Sequence, residues 1–146
     1  MKKIFYEESV ELTVLFNEVD AMNVVWHGNY FRYFEAARSR LCAKHNIDIK
    51  DFIEAGIYAP VARSECKYKM PLFYNDSIIV KAVCYFQTDP KLVINYKIFN
   101  KKSSMCTTTG RTEQLYLDTD FNLLLEQPRL VKSFFEKMQN DTGLVE

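Results

Sequence analysis

The chain has 146 residues, of which 48% are hydrophobic and 26% charged. That suits one globular domain over residues 1–146 and excludes a disordered chain. Lys plus Arg and Asp plus Glu both total 19, so no net field favours nucleic acid, and an anionic ligand needs a local basic cluster. Cys42, Cys66, Cys84 and Cys106 form no CxxC pair and the chain has two histidines, so no metal site is expected. The cysteines read as free thiols in a reducing cytosol, and the localisation expected is cytoplasmic.

In chain order, acids interrupt the apolar residues of "IFYEESVELTV", which is neither a signal peptide nor a membrane span. Residues 10–16 place Val10, Leu12, Val14 and Phe16 on one face at period two, predicting a half-buried strand that ends at Asn17-Glu18. "YFRYFEAARSRLCAKH" changes period. Tyr30, Tyr33, Phe34, Ala37 and Leu41 mark one stripe of a helix starting at about residue 28–30, with Gly28-Asn29 at its mouth. "IKDFIEAG" predicts a short second helix stopped by Gly56.

Strands follow. Residues 57–68 carry a Pro, which places their first half at an edge or bulge. "MPLFYND" reads as a turn, and residues 77–86, 92–100 and 105–118 complete an antiparallel meander. "PRLVKSFFEKM" predicts a C-terminal helix. A strand, a long helix and then several long strands make an α+β fold with one helix laid on an antiparallel sheet.

"VDAMNVVWHGNY" carries the candidate chemistry. Asp20 follows a strand end among apolar neighbours. It reads either as a turn aspartate bonded to nearby amides or as a partly desolvated carboxylate serving as nucleophile or general base. It lies just before a helix N-terminus, whose free N–H groups and dipole suit an oxyanion. His27 reads as a structural residue, as a proton carrier, or as the donor of a backbone N–H to that oxyanion. Gly28 has no side chain to block close approach. Glu35 pairs more naturally with Arg32 or Arg38, and Cys42 reads as a buried thiol. Tyr30, Phe31 and Tyr58 line an aryl pocket or, the simpler reading, fill the core. No P-loop, GxGxxG or GxSxG motif is present.

"FNEVDAMNVVWHGNYFRYFEAAR" resembles the 4-hydroxybenzoyl-CoA thioesterase family of hotdog-fold acyl-CoA thioesterases. Asp20, Met22, Val24, Val25, Trp26, His27, Asn29, Tyr30, Tyr33, Phe34, Glu35, Ala37 and Arg38 match that family's pattern. The likeness continues more weakly through residues 58–80 and 109–118. It implies a hotdog: a long central helix wrapped by a curved antiparallel sheet. It also implies a homodimer or homotetramer with the active site at the dimer interface. Asp20 is then the catalytic carboxylate, and the backbone N–H at His27-Gly28 polarises the thioester carbonyl. Asn29 and Tyr30 fall in the substrate-binding part of the motif. Lys91 falls where relatives place basic residues near the CoA phosphates, a solvated turn lysine being the other reading. The substrate implied is an acyl-CoA or acyl-carrier-protein thioester, with CoA as part of the substrate and no separate cofactor. Asn23 stands where the family usually has Gly, which keeps the turn feasible but sets a polar side chain beside Asp20. A dehydratase or hydratase on the same fold and a non-enzymatic acyl-CoA-binding module remain as alternatives.

Overall fold

The computed structural model describes residues 3–143. Five strands form one antiparallel sheet: β1 (Phe5–Thr13), β2 (Val61–Tyr68), β3 (Ser77–Tyr85), β4 (Lys91–Asn100) and β5 (Cys106–Leu115), in the order β1-β3-β4-β5-β2. The helices are α1 (Tyr30–Lys44), α2 (Ile49–Glu54) and α3 (Arg129–Gly143). α1 lies across one face of the sheet, the α+β hotdog arrangement.

β1 starts earlier than its pattern predicts and stops short of residue 16. Val10 and Val14 are buried, but Phe16 is 75% exposed. The cause is Glu18, whose carboxylate accepts the Leu15 N–H at 2.7 Å and folds residues 16–18 into a single 3-10 turn. The other strands follow their patterns. Ile78, Val80, Ala82 and Cys84 of β3 and Leu92, Ile94, Tyr96 and Ile98 of β4 alternate onto the helix-facing side and are buried. β2 is an edge strand with a register shift between Val61 and Arg63, as its Pro suggests.

The α1 stripe is fully realised: Tyr30, Tyr33, Phe34, Ala37 and Leu41 are all buried. The Phe34 ring stacks on Tyr96 at 4.6 Å, directly over β5. Gly110 makes this possible, because a Cβ there would lie 2.3 Å from the Phe34 ring. α2 is capped by Asp48, whose Oδ1 accepts the Ile49 N–H at 2.9 Å, and Gly56 ends the segment at φ 71°. All four cysteines are free; burial pushes the Cys42 thiol up to about 12, the inert state expected of a core thiol. Among the described residues, no helix is long and apolar enough to cross a membrane.

Candidate active site at the mouth of the long helix

After β1 the chain makes a tight turn over residues 20–24. The Asp20 N–H donates to Val24 O at 2.8 Å, and the Asn23 N–H donates to Asp20 O at 2.9 Å. Asn23 takes φ 67°, the left-handed region that Asn tolerates best among non-glycine residues. Its exposed side chain makes no hydrogen bond to Asp20, so its part in the turn is played by the backbone. Asp20 is half-buried. Its Oδ1 accepts the Met22 N–H at 2.8 Å, which is the turn-aspartate role, while Oδ2 has no partner among the described residues. The turn-aspartate bond thus uses one oxygen and leaves the other free.

Residues His27–Asn29 form a single 3-10 turn that runs into α1. Among the described residues the backbone N–H groups of His27 and Gly28 donate to nothing, as the first turn of a helix leaves them. Asp20 and His27 line the same groove of about 330 Å³, together with Tyr30, Tyr68, Lys69 and Met70. Its back wall is aromatic: Tyr30 meets Tyr68 edge-on at 4.8 Å. The Tyr68 hydroxyl donates to His27 O at 2.9 Å and pins the helix mouth to the end of β2. Burial pushes both phenols up to about 12, so both remain hydrogen-bond donors at neutral pH.

Three expected residues sit differently. Gly28 leaves room, but the Trp26 indole fills it: a Cβ on Gly28 would lie 2.2 Å from the ring. The Asn29 side chain turns inward, donating to Glu18 O at 2.8 Å, and serves the backbone rather than the groove. Lys91 lies at the other end of the sheet. It pairs in register with Leu115, whereas Tyr68 beside the groove pairs with Thr108. Its Nζ is 2.8 Å from Glu113, a carboxylate it holds below the usual range with help from Arg111 and Arg63. Within one chain the cation at the groove is Lys69.

Glu18 is the residue that pattern reading passes over. It is 6% exposed, and its carboxylate accepts both the Leu15 N–H and the Tyr33 hydroxyl. Its carbonyl accepts the Trp26 N–H at 2.9 Å as well as the Asn29 amide. One residue thus ties the strand end, the turn and α1 together and sets where Asp20 stands against the helix mouth. The only sequence signal is an acid wedged into "FNEVD" between an apolar strand and an apolar turn.

A second, larger cavity of about 680 Å³ lies behind α2. It is bounded by Arg38 and Cys42 of α1, Ile53 of α2, Tyr58, Gln114 and Phe121. Tyr58 is 41% exposed, so it is a wall residue rather than core.

The family model described as the thioesterase-like superfamily matches residues 14–135, which takes in the turn, the helix mouth and every strand except β1. The chain belongs to the thioesterase-like superfamily. A protein of Aquifex aeolicus provisionally named an esterase is 40% identical over 63 residues, 43% of this chain and 49% of that protein. A Bacillus subtilis protein provisionally named the acyl-CoA thioesterase YneP is 30% identical over 90 residues, 62% of this chain and 65% of that one. The chain thus matches 49% and 65% of the length of these two curated relatives. Among solved structures, the DHNA-CoA thioesterase of Staphylococcus aureus superposes with a TM-score of 0.78 at 28% identity, covering 96% of this chain and 95% of that one. For this thioesterase-like protein the match is to the superfamily; the narrower likeness to 4-hydroxybenzoyl-CoA thioesterases rests on the residue 16–38 motif.

Proposed function

We propose that this protein hydrolyses acyl-CoA or acyl-carrier-protein thioesters to a free acid and a thiol, with Asp20 as the catalytic carboxylate. The observation that carries this reading is the shared groove: Asp20, whose Oδ2 has no partner among the described residues, and His27, whose backbone N–H is free, both line one space at the mouth of α1. A thioester carbonyl oxygen placed on the His27 and Gly28 amides becomes more electrophilic, and the helix dipole favours the charge that develops on it. Asp20 then attacks the carbonyl carbon and expels the thiolate, leaving a mixed anhydride for water to open. In the other route it takes a proton from water as that water attacks. Both routes need one free carboxylate oxygen, and both use Oδ1, held by Met22, as the anchor. Lys69 supplies a positive charge for a phosphate of the thiol carrier. The acyl-CoA substrates named for the relatives support the same class of substrate here.

The test is thiol release from a panel of acyl-CoAs by the wild type and by Asp20→Asn. The substitution is isosteric and keeps the Met22 hydrogen bond, so the fold is expected to survive. Turnover should fall on the order of 10²- to 10⁴-fold. Near-normal hydrolysis by the variant across the panel would overturn the role of Asp20. A wild type that binds acyl-CoA without releasing thiol would leave a binding module in its place.

A further inference from the structure

The surface around the Asp20 groove exposes more apolar area than a small substrate can cover. Two short segments meet there, the turn after β1 and the "MPLFYND" segment before β3. The Val24–Phe73 bridge joins them, and the Val25 N–H donates to Leu72 O at 2.8 Å. Together they expose Phe16, Met22, Trp26, Met70, Phe73 and Tyr74. Met22 is 78% exposed and Tyr74 51%, and the Phe16 and Tyr74 rings meet edge-on at 5.6 Å. Met22 and Met70 line the groove, whereas Phe16, Phe73 and Tyr74 lie outside it. A cluster of large exposed apolar side chains of this kind marks a protein contact surface.

Cations rim this patch, although the chain has no net charge. Lys67 of β2 and Lys97 of β4 both pair in register with Thr109 of β5, which sets them about 10 Å apart on the sheet face away from α1. Lys69 follows β2 into the groove, its N–H donating to Thr107 O at 3.0 Å, and Lys102 stands in the turn between β4 and β5. All four are exposed, and none is in an ion pair among the described residues. Lys97 also lies directly opposite Lys81, a like-charge pairing in which Lys81 has Glu7 at 3.4 Å and Lys97 has no acid. The carboxylates at this end of the sheet are engaged elsewhere. Glu11 holds Lys101 at 2.7 Å, Asp76 accepts the Phe73 N–H at 2.8 Å, and Glu18 is buried. At the far end the pattern reverses, with Arg63, Lys91 and Arg111 all held by Glu65 and Glu113. Unbalanced positive charge therefore collects beside the groove, where it attracts and orients an acidic partner.

We propose that this lysine-rimmed apolar patch docks an acidic carrier protein, which presents its acyl thioester to the Asp20 groove on a flexible prosthetic arm. The inference rests on the thioesterase reading and decides between its two thiol carriers. Lys69, inside the groove, serves a phosphate of the arm, which either carrier supplies. Lys67, Lys97, Lys102 and the Phe16–Tyr74 pair lie outside the groove and meet the carrier's own acidic and apolar surface.

The test has two arms. In the first, a tryptophan-free holo acyl carrier protein with no acyl group is titrated into the Asp20→Asn chain. Trp26 lies in the patch and is the sole tryptophan, so its emission reads docking. A saturable blue shift is expected, with Kd rising about tenfold or more between about 0.05 and about 0.5 M salt. No saturable shift at low salt overturns the docking surface. In the second arm, kcat/KM is measured for one acyl group carried on the carrier protein and on CoA. Lys67→Glu combined with Lys97→Glu should lower the carrier-protein value by about tenfold or more and leave the CoA value within about twofold. Phe16→Ser should lower the carrier-protein value about fivefold with the same selectivity. Equal losses on both carriers give the lysines to the CoA nucleotide and overturn the proposal. So do unchanged values on both carriers in variants whose thermal melts match the wild type. Phe16→Ser that alters sedimentation of the chain alone, with carrier kinetics unchanged, makes the patch a contact between copies and overturns it as well. The hydrolase reading fails differently, through a wild type that releases no thiol from either carrier, and the titration still reads docking in that case.

Discussion

The Tyr33 hydroxyl donates to the buried carboxylate of Glu18 at 3.0 Å, joining the start of α1 to the 3-10 turn that follows β1. Burial first, and then the Glu18 carboxylate, hold the phenol above its usual range. Glu18→Ala leaves that hydroxyl and the Leu15 N–H without their acceptor. Loss of two hydrogen bonds to a buried charge is expected to destabilise the fold by about 2–4 kcal/mol, read from chemical denaturation. Tyr33→Phe removes only one donor and should cost about 1–2 kcal/mol. Both variants should lower kcat as well, because the Glu18 carboxylate fixes the backbone whose carbonyl holds Trp26 and Asn29, and loosening that anchor lets the helix mouth shift.

Gly28 and Trp26 are coupled by contact. Gly28→Ala sets a Cβ 2.2 Å from the indole, so the ring must swing outward. Trp26 is the sole tryptophan of the chain, and its emission should shift to the red. The expected cost is about 1–3 kcal/mol. Adding Trp26→Ala should recover most of it, since the double variant has nothing left to clash. A cycle showing strict additivity would contradict the contact.

Asn23 occupies a left-handed turn through its backbone alone. Asn23→Gly should therefore change stability by less than about 1 kcal/mol, whereas Asn23→Ala should cost about 1–2 kcal/mol. Neither is expected to change the ranking of acyl-CoA substrates, because the Asn23 side chain does not border the groove. A changed substrate ranking in Asn23→Gly would show that it does.

His45 stacks on Tyr6 at 3.8 Å and meets Phe134 edge-on, which fastens the C-terminal helix to β1. Burial lowers its pKa below 6.5, with Lys44 and Lys137 adding to the effect and Asp141 and Glu8 opposing it. The unfolded chain therefore takes up the His45 proton first as pH falls. Stability is full above about pH 6.5 and declines as pH drops from there through the folded-state pKa. Tyr6 also hydrogen-bonds Asp141 on α3, so the decline should appear first as loosening of that helix. His45→Phe should flatten the melting temperature over this window.

The helix stripe from Tyr30 to Leu41, the alternation in β3 and β4, and the stop at Gly56 were legible because each depends on neighbours within a few residues. The fold class followed from those local periods, and Asp20 stood out because a carboxylate beside a helix mouth is a short-range pattern. Other features depend on residues far apart in the chain, and no period records them. Glu18 became a clamp only when α1 brought Tyr33 onto it, 15 positions away. The space at Gly28 proved to be taken by Trp26, since side-chain packing decides which surface a missing Cβ exposes. The far end of the sheet captured Lys91 because strand register aligned it with Glu113. Tyr58, expected in the core, met Phe121 across 63 residues and became the wall of a cavity that no local pattern describes. Sequence alone determined the elements and singled out Asp20 as the candidate carboxylate; the closing of long loops into register decided which groups surround it.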